Sequence, residues 1–118
     1  MFAETLREIA SKMENVYCVL LMGMDGLPIE RVIVDDSLNI ELLTAEFTTV
    51  LRLTNHTAAE VNAGALDEII IVSEKMTLLT KNITSDYLLL MILSQDCNIG
   101  KARFELKKAK YTLEKEFV

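Results

Sequence analysis

Two stretches of this chain, Val16–Met22 (VYCVLLM) and Tyr87–Leu93 (YLLLMIL), are apolar almost without interruption. They constrain the fold more than any other feature. Successive side chains of a strand point to opposite faces, so a run of this kind has two faces to bury. Such strands belong in the middle of a sheet that is covered on both sides. Covering both sides requires helices above and below, which is a three-layer sandwich.

The rest of the chain supplies those layers. Phe2, Leu6, Ile9, Ala10 and Met13 recur at helical spacing and predict a helix over 2–14, with Asn15 as its stop. After Val16–Met22, the string Gly23-Met24-Asp25-Gly26 is hairpin chemistry, because Asp-Gly tolerates positive φ. Residues 28–34 then read as a partner strand. Pro28 sits at its start, and Glu30 and Arg31 mark it as an edge. Asp35-Asp36-Ser37 forms a loop, and a long helix should follow over 39–62. Its stripe of Ile40, Leu43, Phe47, Val50 and Val61 should cover the sheet, and Gly64 should end it. Residues 66–73, 76–83 and 87–93 read as three strands joined by tight turns. Asp96 and Asn98 offer caps for a last helix with Ala102, Leu106, Ala109, Leu113 and Phe117 inward. The order is α-β-β-α-β-β-β-α. Short links between strands make the sheet mostly antiparallel. A length of 118 residues suits a single domain, 1–118.

Charge narrows the partners. The net charge of -6 argues against nucleic acid. It is unevenly spread: residues 101–118 carry six cations against three acids, so residues 1–100 hold the whole acidic excess. A basic last helix fits either an acidic partner or membrane surface, or a solvated face near a helix C-terminus. Cys18 and Cys97 match no metal-ligand spacing, the N-terminal residues lack the apolar core of a signal peptide, and no stretch is long enough to span a bilayer. These point to free thiols in a reducing cytoplasm.

Catalytic chemistry finds little to work with. His56 is the lone histidine and has no partner at a recognisable spacing, no glycine-rich phosphate loop exists, and no cluster suggests a metal. The expectation is a non-enzymatic protein with no cofactor. Cys97, in a polar loop before a helix, is the one residue that fits a redox role.

The middle helix is the informative element. Opposite its sheet-facing stripe lie Leu42, Ala45, Thr49, Leu53 and His56, flanked by Glu46 and Glu60. A second apolar stripe predicts another chain. The strand at 66–73 is the other candidate surface, since at a sheet edge its backbone can pair with a copy of itself.

Leu21-Met22-Gly23-Met24-Asp25-Gly26-Leu27-Pro28-Ile29-Glu30, the strand pair between Leu66 and Ile83, and Tyr87–Leu90 leading to Asn98-Ile99-Gly100-Lys101-Ala102-Arg103 together resemble the roadblock family of dynein light chains. The likeness is greatest to its bacterial, MglB-like members and covers nearly the whole chain. The resemblance implies a five-stranded antiparallel sheet with the first and last helices on one face and the middle helix on the other. It implies a homodimer in which the middle helices pack together and the third strands pair. It also implies a regulatory partner of a small Ras-like, MglA-like GTPase that promotes GTP hydrolysis without an arginine finger, or else a structural adaptor. Arg52, the only arginine of the middle helix, is not expected to act as a finger. The expected dimer or partner surface is Leu42, Ala45, Glu46, Thr49, Arg52, Leu53, His56, Ile69 and Ile71.

Overall fold

The computed structural model describes residues 2–117. Its elements are α1 (Phe2–Lys12), β1 (Val16–Gly23), β2 (Pro28–Ile33), α2 (Ile40–Glu60), β3 (Glu68–Val72), β4 (Met76–Asn82), β5 (Tyr87–Ser94) and α3 (Ile99–Leu113), followed by a 3-10 turn at Glu114–Phe117. The expected order holds, with several element ends shifted inward by a residue or two.

All five strands pair antiparallel in the spatial order β2-β1-β5-β4-β3. The two apolar runs lie side by side, with Leu20 opposite Leu90 and Leu21 opposite Leu89. Alternate residues feed two separate cores. Val19, Leu21, Leu89 and Met91 pack under Leu6 and Ile9 of α1 and Leu106 and Ala109 of α3. Cys18, Leu20, Leu88, Leu90 and Ile92 pack against Ile40, Phe47 and Leu51 of α2. Burial pushes the Cys18 thiol up to about 12, so it packs as a small apolar group. Phe117 stacks between Phe2 and Tyr87, at centroid separations of 5.3 and 4.2 Å, and ties both chain ends to the sheet.

Caps set the helix ends. Asn39 and Asn98 accept from the backbone N–H of Leu42 and Lys101 at 3.0 Å, so Asn98 is the cap of the last helix in place of Asp96. The end of α2 differs from expectation. Asn62 takes the left-handed turn at φ 56°, and the N–H of Ala63 reaches back to the carbonyl of Ala58 at 2.8 Å. This is a Schellman closure made by asparagine, and Gly64 lies beyond it.

The sheet-facing stripe of α2 also needs correction. Its buried residues are Ile40, Thr44, Phe47, Thr48 and Leu51, whereas Val50 and Val61 are exposed at 40% and 66%. Threonine reads as polar in a sequence. Here the hydroxyls of Thr44 and Thr48 donate within the helix, to the carbonyls of Glu41 and Thr44. With its polar group satisfied locally, a threonine can sit on the sheet side of a helix.

Candidate functional site

Rotating the inner stripe onto Thr44 and Thr48 frees valines for the outer surface. Leu42 (57% exposed) and Leu53 (65%) stand in solvent on α2, as the second stripe predicts. Ala45, Glu46, Thr49, Arg52 and His56 are also exposed. His56 Nε2 lies 3.9 Å from the Glu60 carboxylate one turn on, with both side chains largely in solvent. That is a surface contact of small energetic weight and leaves His56 without a catalytic setting.

β3 is an edge strand, hydrogen-bonded to β4 on one side and open on the other. Its alternation places Ile69 and Ile71 on the α2 side, where Ile69 is half-buried against the α2 core and Ile71 is exposed. Glu68, Ile70 and Val72 point to the α3 side. A shallow groove of about 240 Å³ joins helix and strand, lined by Leu43, Glu46, Phe47, Val50, Ile71 and Met76 among others. The structure thus brings Glu46 and Ile71 together at one groove. Leu42, Leu53 and His56 lie farther out on the same helix. Val50 and Val61 add exposed apolar surface on α2, while Ile70 and Val72 are exposed on the opposite, α3-facing side of the β3 edge; none of the four is among the expected site residues. The unbroken run Ile69-Ile70-Ile71-Val72 carries the signal for the strand, since an edge strand apolar on both faces is seldom left in water.

Apolar side chains exposed on α2 beside an open strand edge favour association with another chain. Among the described residues no group of three or more His, Cys, Asp or Glu side chains could hold a metal ion, and no helix is long and apolar enough to cross a membrane. The remaining cysteine, Cys97, is half-buried against the α1/α3 core.

Five antiparallel strands with one helix on one face and two on the other make this a roadblock-type α+β protein. The chain is similar to the roadblock/LC7 domain from Streptomyces avermitilis, with a TM-score of 0.85 at 10% identity over 98% of this chain and 96% of that one. It is similar to MglB from Myxococcus xanthus, with a TM-score of 0.85 at 18% identity over 98% and 93%. MglC from Myxococcus xanthus shares 26% identity over 98% of both chains, with a TM-score of 0.70. No curated protein sequence matches the chain. The model of the family described as mitogen-activated protein kinase kinase 1 interacting matches residues 2–107, and the chain belongs to that family.

Proposed function

We propose that this chain is one roadblock-type domain, 1–118, that pairs with itself and regulates a small Ras-like, MglA-like GTPase without chemistry of its own. The observation that carries this is the outer face of α2, where Leu42 and Leu53 are exposed and Val50 shares a groove with Ile71 of the open β3 edge. Two copies joined antiparallel along β3 complete each other's unpaired backbone groups and bring their α2 helices together. One isologous contact then covers both flagged elements. The GTPase docks on the paired α2 helices, where Thr49, Arg52 and His56 add polar contacts around the leucines. Hydrolysis is promoted by ordering the GTPase's own catalytic residues, since Arg52 is embedded mid-helix and is not a flexible finger. Membership of a family defined by an interaction supports the non-enzymatic part of this assignment.

The test is single-turnover GTP hydrolysis by the MglA-like GTPase of the same organism, with and without this protein at micromolar concentration. Faster hydrolysis that is lost with Leu42→Glu supports a regulator of GTPase state. Binding with an unchanged rate favours a scaffold subunit, and absence of binding removes the GTPase as partner.

A further inference from the structure

The outer face of α3, on the opposite side of the sheet from α2, carries a second unpartnered surface. Phe104 (60% exposed) and Tyr111 (57%) stand two turns apart and both point into solvent. Lys101, Lys107 and Lys108 flank them, all exposed. The Lys108 ammonium lies 5.6 Å from the centre of the Phe104 ring. α3 holds five cations and a single acid, Glu105. That acid is turned inward, 5% exposed, with Lys108 at 3.4 Å and Lys12 at 3.8 Å. The solvent face of α3 is therefore aromatic and basic with no carboxylate on it, in a protein of net charge -6.

We infer that the Phe104–Tyr111 strip of α3 binds an acidic, apolar-anchored segment of a partner protein. Width selects this occupant over an anionic membrane. Beside α3, α1 exposes Glu4 and Glu8, and at the other flank Asp67 and Glu68, already paired with Lys81 and Arg103, share a pocket with Phe104 and Lys107. The basic strip is one helix wide. A lipid surface laid across this layer meets the α1 carboxylates, whereas a single chain following α3 avoids them. The two rings, about 10 Å apart along the axis, provide apolar anchor points, and the lysines supply the complementary charge. Rings of this kind are common anchors at protein interfaces. In the β3-paired arrangement proposed above, the two-fold axis is normal to the sheet. Both strips then lie on one side and both α2 helices on the other, so the two surfaces can be occupied together.

The experiment is amide NMR of the full chain titrated with a synthetic Glu/Leu amphipathic peptide and, separately, with its Lys/Leu counterpart. Expected are shifts centred on Lys101–Tyr111 with the acidic peptide only, reduced at least about ten-fold in apparent affinity by Phe104→Ser with Lys107→Glu. Both positions are exposed, so the variant should keep the wild-type fold, checked by circular dichroism. No shift with the acidic peptide, equal shifts with both peptides, or shifts at this strip only with phosphatidylserine vesicles overturn the inference. Adding Leu53→Glu separates it from the pairing proposal: the strip should still bind in a monomer.

Discussion

Arg103 of α3 grips Glu68 of β3 with two hydrogen bonds, from Nε at 2.9 Å and from Nη2 at 3.2 Å. This fork ties the last helix to β3, one of the two edge strands of the sheet. The Arg103 guanidinium holds the Glu68 carboxyl below the usual carboxylate range, and the Lys81 ammonium does the same for Asp67. A carboxyl with a lowered folded pKa stabilises the fold above its unfolded value, near pH 4, and loses that contribution as pH falls through the lowered value. Melting temperature should therefore be flat near neutral pH and drop below about pH 4. Glu68→Gln should lower stability at neutral pH by about 1 kcal/mol, because the pair is partly exposed, and should flatten the acid limb.

Lys81 is only 7% exposed and meets Asp67 at 2.8 Å and Glu68 at 3.7 Å. Asp67 is exposed and Glu68 also has Arg103, so removing the lysine leaves no buried charge behind. Lys81→Met should change stability by less than about 1 kcal/mol. Replacing both carboxylates by alanine strands the ammonium and should cost about 3 kcal/mol or more, measured by urea unfolding.

Gly26 in the β1–β2 turn has φ 92°, and a Cβ there would fall 2.5 Å from Thr48 Oγ1 and 2.9 Å from Cγ2 on α2. Gly26→Ala should cost about 1–3 kcal/mol from the backbone conformation, with the clash in addition. The second substitution Thr48→Ala removes both clashing atoms and should recover part of the loss. A fully additive double variant is the contrary result.

Leu51 and Leu53 sit two residues apart on α2 with opposite surroundings, 0% and 65% exposed. Leu51→Ala should cost about 2–5 kcal/mol of stability. Leu53→Ala should leave the unfolding of the isolated chain within about 0.5 kcal/mol. Thermal melts of both variants at low protein concentration, where pairing contributes least, separate core from surface.

What could be read from the residues follows from periodicity. The two-sided runs around Val19 and Leu90 announce the centre of the sheet, and the Asp25-Gly26 turn and Pro28 announce an edge strand. Leu42 and Leu53 announce the outer face of α2. The sheet-side stripe is hidden because Thr44 and Thr48 satisfy their hydroxyls inside the helix, a contact that no hydropathy pattern displays. Misplacing that stripe misplaces Val50, which turns out to line the groove against Ile71. The inward turn of Glu105, which clears the α3 surface of acid, is equally invisible, since one of its two cations, Lys12, lies on α1, far away in the sequence.

Sedimentation equilibrium of the wild type and of Leu53→Glu at micromolar concentration tests most directly whether α2 and β3 form a covered face. A dimer for the wild type and a folded monomer for the variant are expected. A wild type that stays monomeric, or a variant that stays dimeric, contradicts pairing through this face.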